Sequence, residues 1–306
     1  MKFSIYQESK LGARKMNQDR MGYCFTSDSL LLLLADGMGG HVQGEVAADI
    51  AMRTIASLFQ NEAQPSIKNP ERFLEQSFLA AHDAICAYAK LNNMNESPRT
   101  TMVACVIQEN HCYYAHAGDS RFYWLRNGEV KARTSDHSRL ENLIRQGKVA
   151  PMMRSTHPDR NKLYNCLGSP ILPMVDVGKR ILLDAGDILL LCSDGFWSYL
   201  SEDDLARKLT RSTIVRAIPE LIDLAIAEAA EQADNTTALA VMWESAADTV
   251  EEMTITTQTM PKGVFSTTVQ AELPQGMTAL ALDDDEIERS IAEINQAIQK
   301  SIRLIS

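Results

Sequence analysis

The stretch LLLLLADGMGG, residues 30–40, carries the reading of this chain. Leu30–Ala35 is a short apolar run, and Asp36-Gly37 closes it, the pattern of a strand that stops at a tight turn. Working outward, five more short apolar runs bounded by Gly, Asp or Asn predict strands: Thr101–Ile107, Cys112–Ala117, Arg121–Leu125, Ile188–Cys192 and Ala238–Trp243. Between these groups, Glu45–Phe59 and Pro70–Leu91 predict a pair of long helices. In the second, Phe73, Leu74, Phe78, Ala81 and Ile85 recur at helical spacing. Arg139–Gln146, Glu202–Lys208 and Ile218–Glu231 are the remaining helical segments. Long helices in pairs between groups of strands point to an α+β sandwich with helices outside, and away from a regular βαβ alternation.

The chain has 306 residues, 45% hydrophobic and 23% charged, values that exclude a disordered or fibrous protein. Its net charge of −10 makes it a poor candidate for general nucleic-acid or anionic-membrane binding. The longest apolar run, Leu30–Ala35, falls far short of the ~20 residues of a membrane helix. The opening MKFSIYQESKLGARK has no apolar core of a signal peptide. None of the six cysteines forms a C-x-x-C pair, so buried free thiols and a reducing, cytoplasmic setting are expected.

Composition changes near residue 245. From there to residue 306 the chain holds ten acidic and four basic residues. Three units are expected: a main domain over 1–244, a Thr-rich linker or weak strands over 245–281, and an amphipathic helix over 282–306. In that helix Ile287, Ile291, Ile294, Ile298, Ile302 and Ile305 form a stripe, with Asp283–Glu286 at its start and Lys300 and Arg303 near its end. The stripe suits either docking on its own domain or pairing with a partner helix, a second copy included.

Five aspartates sit where a strand meets a turn: Asp19, Asp36, Asp119, Asp194 and Asp234. Adjacent glycines (Gly37, Gly118, Gly195) let backbone approach a ligand closely. Any one Asp-Gly pair is an ordinary turn. Several carboxylates sharing a cleft repel one another unless cations stand between them, and an all-oxygen donor set favours Mg2+ or Mn2+ over Zn2+.

Six motifs occur in order: Arg14-x-x-Asn17-Gln18-Asp19, Ala35-Asp36-Gly37-Met38-Gly39-Gly40-His41, Gly118-Asp119-Ser120-Arg121, Ser135-Asp136-His137-Ser138, Ser193-Asp194-Gly195 and Asp234-Asn235. In order and spacing they resemble the metal-dependent serine/threonine protein phosphatases of the 2C type, in their bacterial form, over about residues 1–244. The resemblance implies a four-layer α-β-β-α sandwich, two antiparallel sheets flanked by helices, with two Mn2+ or Mg2+ ions at one end. Asp36 would bridge them, Asp194 and Asp234 would complete one shell, and the Gly37 carbonyl would bind the other ion. Asp119 would hold a weaker third ion, Asp19 and Gln18 would support metal-bound water, and Arg14 would bind the substrate phosphate. The implied reaction is hydrolysis of phosphoserine or phosphothreonine on proteins by a water activated between the metals, with no covalent enzyme intermediate, reversing a serine/threonine kinase.

Departures from the family pattern carry expectations too. Gln18 stands where many members have a glutamate, so weaker binding at one metal site is expected. Met38 stands where animal members have a histidine proposed as general acid. His137 is expected to be structural. His157-Pro158-Asp159-Arg160-Asn161 through Leu167-Gly168 resembles the family's flap, and specificity is expected around the cleft and over 139–178. The alternative function is a catalytically weak scaffold on the same fold, acting through the C-terminal helix. A phosphatase of the anti-sigma-regulator type would also fit the fold, but no sensor module is visible.

Overall fold

The computed structural model describes residues 1–38, 43–154, 156–244, 254–257 and 266–268. The glycine pair Gly39-Gly40, His41 and the isoleucine-striped segment 282–306 lie outside them. In chain order the elements are β1 (Lys2–Lys10), β2 (Asp19–Phe25), β3 (Ser29–Met38), α1 (Gly44–Glu62), α2 (Pro70–Leu91), β4 (Arg99–Thr100), β5 (Met102–Gln108), β6 (His111–Ala117), β7 (Arg121–Arg126) and β8 (Glu129–Arg133). There follow α3 (Arg139–Arg145), β9 (Asp176–Val177), β10 (Ile181–Leu182), β11 (Ile188–Cys192), α4 (Asp194–Trp197), α5 (Glu202–Arg211), α6 (Ile214–Ala229), β12 (Thr236–Trp243), β13 (Thr254–Thr256) and β14 (Ser266–Thr267).

The leucine run explains the layering. Along β3, Leu31, Leu33 and Ala35 face α1 and α2, while Leu30, Leu32 and Leu34 face the second sheet. A strand covered on both faces has no reason to alternate with polar residues, hence five leucines in a row, all fully buried. Each such burial contributes roughly 1.5–3 kcal/mol of transfer free energy. The sheet containing β3 runs β10-β6-β5-β3-β2-β14, and the facing sheet runs β13-β1-β12-β11-β7-β8. All of these pairings are antiparallel. Outside the facing sheet, α4, α5 and α6 close a third apolar layer around Phe196, Leu205, Leu209, Ile218 and Leu221. The order is helices, sheet, sheet, helices, the four-layer sandwich expected.

Besides the two-residue strands β4, β9 and β10, the strands that sequence patterning does not single out are β1, β2 and β8. Each carries polar or glycine positions that thin its apolar pattern; in β1 only Phe3 and Ile5 enter the central core. Helix α6 begins at Ile214, four residues before the expected start, and continues through Pro219. The proline removes one ladder hydrogen bond. Ile214, Ala217, Ile218, Leu221 and Ile222 seal the outer core on both sides of it. Within 245–281, the segments 254–256 and 266–267 are short strands on β1 and β2. Among the described residues no helix is long and apolar enough to cross a membrane.

Candidate metal centre

One end of the sandwich gathers strand termini. In the β2–β3 register Asp19 lies directly opposite Asp36. Asp194 follows β11 as the first residue of α4, and Asp234 precedes β12, the neighbour of β11. Asp119 sits in the link between β6 and β7, after Gly118, whose φ of +118° belongs to the glycine region. Together with Arg14, Gln18 and Gly37, four of these aspartates line a cleft of about 270 Å³, walled further by Met16, Met38, Asn161, Leu163 and Asn235. Asp19 is not on the wall: it is buried behind it, accepting a hydrogen bond from Thr237 Oγ1 at 2.5 Å.

The backbone around Asp36 is clamped. Its N–H donates to Thr101 Oγ1 (3.1 Å), and its carbonyl accepts from Thr101 N–H and Thr100 Oγ1 (2.9 Å each). Gly37 is required because a Cβ there would collide with the Gly44 carbonyl at the start of α1. Asn235 pins the opposite lip: Oδ1 accepts from Gln18 N–H (2.8 Å), and Nδ2 donates to the carbonyls of Leu11 and Met16 (3.0 and 3.1 Å). Gln18 Nε2 donates to Glu45 Oε2 at 3.0 Å, which sets a carboxylate one bond behind the glutamine. Arg14 donates to Asp234 Oδ2 at 2.5 Å, so the expected phosphate ligand rests on an expected metal ligand. Thr237 and Glu45 are not legible as site residues in the sequence, since a lone hydroxyl or a helix-start glutamate has no spacing signature.

The electrostatics are those of unshielded like charges. Burial, then the carboxylates of Asp19, Asp194, Asp119 and Asp234, push Asp36 well above the usual range. Asp119 is raised in the same way, by burial and then Asp194. Burial raises Asp19 to about 7, against the opposing hydrogen bond that Thr237 donates to Oδ2. Burial and Asp234 raise Asp194 to about 6. Asp19 Oδ1 is buried with no hydrogen-bond partner. An acceptor without a donor, inside an all-oxygen set of buried carboxylates, fits hard divalent cations and their coordinated water.

This has a thermodynamic consequence. The folded-state pKa values of Asp19 and Asp194 lie above the ~3.9 of an unfolded aspartate. The stability they contribute is therefore complete below about pH 4 and is lost as pH rises through 6 and 7. In chelator, the unfolding midpoint should fall by several degrees, on the order of 5 °C, between about pH 5 and pH 8. Mn2+ or Mg2+ should restore it most at the higher pH. A midpoint that rises over this range in chelator would contradict the cluster.

A second set of buried charges holds the floor in place. Arg121, from the Gly118-Asp119-Ser120-Arg121 motif, grips Asp136 with two bonds of 2.7 Å, donates to Tyr123 Oη (2.8 Å) and lies 3.4 Å over the Trp197 ring. Trp197 Nε1 in turn donates to the Asp119 carbonyl at 2.9 Å. His137 is buried. Its Nδ1 accepts from Gly118 N–H (3.2 Å) and Asn165 Nδ2 (2.6 Å), so Nε2 carries the proton and donates to Asp176 Oδ2 (3.1 Å). His116, His137 and Asp176 bring ligand atoms within 4.8 Å of one another. The His137 tautomer nevertheless denies a metal its Nε2 lone pair; His137 braces the Gly118 turn between Gly118 N–H and Asp176, and His116 stacks on its ring.

The sequence profile described as "Protein phosphatase 2C" matches residues 7–220. Mycobacterium tuberculosis "Serine/threonine protein phosphatase PstP" is 32% identical over 197 residues, 64% of this chain but only 37% of its own length. Listeria innocua "Serine/threonine phosphatase stp" is 30% identical over 233 residues, 74% of this chain and 90% of its own. Among solved structures, the catalytic domain of PstP in complex with two manganese ions superposes with a TM-score of 0.68 at 28% identity, covering 80% of this chain and 99% of that one.

Proposed function

This chain belongs to the protein phosphatase 2C family, and on that premise we propose that it hydrolyses phosphoserine and phosphothreonine on proteins, with Mn2+ or Mg2+ as cofactor, reversing a serine/threonine kinase in the bacterial cytoplasm. The observation that carries the reading is the cleft itself, where Asp36, Asp119, Asp194 and Asp234 converge beside a single guanidinium, Arg14.

Asp36, Asp194 and Asp234, with the Gly37 carbonyl, would hold two cations, and Asp119 a third. When bound, such ions lower the pKa of a shared water and offset charge on the phosphoryl group. The chain's own residues do the rest. Arg14 exchanges Asp234 for the substrate phosphate, offering parallel N–H donors matched to two phosphate oxygens. Its side chain is about half exposed, so the swing meets little obstruction. Asp19, buried behind the wall with Oδ1 unpaired, would support the metal-bound water. Thr100 and Thr101 hold the Asp36 backbone still while the charge on its carboxylate is used. Catalysis is assigned to residues 1–244, and the isoleucine-striped segment 282–306 to partner binding or self-association.

The test is hydrolysis of a phosphothreonine peptide in Mn2+, in Mg2+ and in EDTA. Release in either metal and none in EDTA is expected. A folded protein that releases no phosphate in any metal would overturn the proposal.

A further inference from the structure

The floor of the cleft is acidic and its rim is basic. Asn161 lines the cleft between Arg160 and Lys162, Lys15 stands between the lining residues Arg14 and Met16, and Arg99 pairs across the strands with Met38, also on the wall. Lys15, Arg99 and Lys162 are exposed. The arm 139–163 that supplies Asn161 and Leu163 holds six basic and two acidic residues, in a chain whose net charge is −10. Of those two acids, Glu141 is buried against Arg133 and Arg154. Asp159 is 15% exposed and tied to Lys162 (2.6 Å) and Arg139 (3.3 Å).

Arg14 and the carboxylates account for the phosphate that is cleaved. Lys15, Arg99 and Lys162 have no part in that step, yet each is next to a cleft-lining residue, in the chain or across the strand pair. Resting on the phosphatase reading, we propose that this rim selects phosphopeptides carrying further anionic groups, carboxylates or a second phosphate, beside the residue to be dephosphorylated. The overall negative charge of the chain opposes such a ligand only at long range, because charges more than ~8 Å away are screened at physiological ionic strength. At contact the local rim decides. Each exposed pair contributes little alone, and three or four acting together give roughly a ten-fold preference.

The experiment compares kcat/KM in Mn2+ for phosphothreonine peptides with neutral, acidic or basic flanks, with p-nitrophenyl phosphate as a substrate too small to reach the rim. The acidic peptide should exceed the neutral one by ~10-fold, with the basic peptide below both, and the gap should shrink from roughly 50 to 200 mM salt. Replacing the flanking carboxylates by a second phosphothreonine identifies the anion; the proposal stands if either version exceeds the neutral peptide. The triple variant Lys15→Glu, Arg99→Glu, Lys162→Glu should lose this order and keep its p-nitrophenyl phosphate turnover. Equal rates on all peptides, or an unchanged order in the variant, overturns the proposal and leaves the phosphatase reading intact. Absence of turnover on every peptide and on p-nitrophenyl phosphate overturns both.

Discussion

An Asp36→Asn chain should release phosphate at least ~10³-fold more slowly than the parent, with its fold unimpaired. Asparagine keeps the shape of the side chain, and the bonds from Thr100 and Thr101 grip only the Asp36 backbone, so the end of β3 stays where it is. What changes is charge. Asp36 carries the strongest burden of like neighbours in the cleft, Asp19, Asp194, Asp119 and Asp234. Removing its charge relieves that repulsion, and the unfolding midpoint in chelator should stay level or rise. The midpoint gain on adding Mn2+ should largely vanish. Loss of activity, retained stability and loss of the metal-induced shift together separate a ligand from a residue needed only for folding. Undiminished metal-dependent turnover in Asp36→Asn would remove Asp36 from the centre.

Asp136→Ala should do the reverse, costing stability first. Arg121 and Asp136 are 5% and 1% exposed, and the guanidinium is enclosed by Asp136, Tyr123 and the Trp197 ring. Burial alone would raise the Asp136 carboxyl; Arg121, with Arg133 and Arg154, outweighs it and holds the group below the usual range. Its contribution is therefore present above about pH 4 and lost as pH falls through the lowered value. Deleting the carboxylate leaves a buried guanidinium without its partner, which costs about 3–5 kcal/mol, or a fall of roughly 10 °C in midpoint. Replacing both partners by apolar residues, Arg121→Met with Asp136→Leu, should cost clearly less than the single change. Chemical denaturation of the three chains measures this; a loss below ~1 kcal/mol for Asp136→Ala would show that solvent reaches the guanidinium.

The motifs made the positions of the cleft legible before any fold was known, because a carboxylate that must face a cleft needs a strand end and a small neighbour, and both leave marks in sequence. Asp36-Gly37 and Ser193-Asp194-Gly195 are such marks. Residues that act by holding others leave none. Asn235 could be read as half of an Asp-Asn turn, but nothing in its spacing says that it ties Gln18 to Leu11 and Met16. Arg14 was legible as a cleft residue, whereas its contact with Asp234 depends on a residue 220 positions away. The fold shows the same division. Doubly covered β3 and β11 announce themselves as unbroken apolar runs, while β8, at a sheet edge with the sequence EVKAR, gives no period to read.

The short strands β13 and β14 settle how the chain should be divided in the laboratory. β13 covers the flank of β1, and β14 that of β2, so both sheets are finished by residues beyond 244. Thr257 reinforces the closure: its N–H donates to the Met1 carbonyl (3.0 Å) and its hydroxyl to the Ser27 carbonyl (2.6 Å). A fragment trimmed at 244 would retain every cleft residue and still present two bare rows of peptide groups, each an invitation to strand addition from another molecule. A piece ending after 268 keeps both hems sewn.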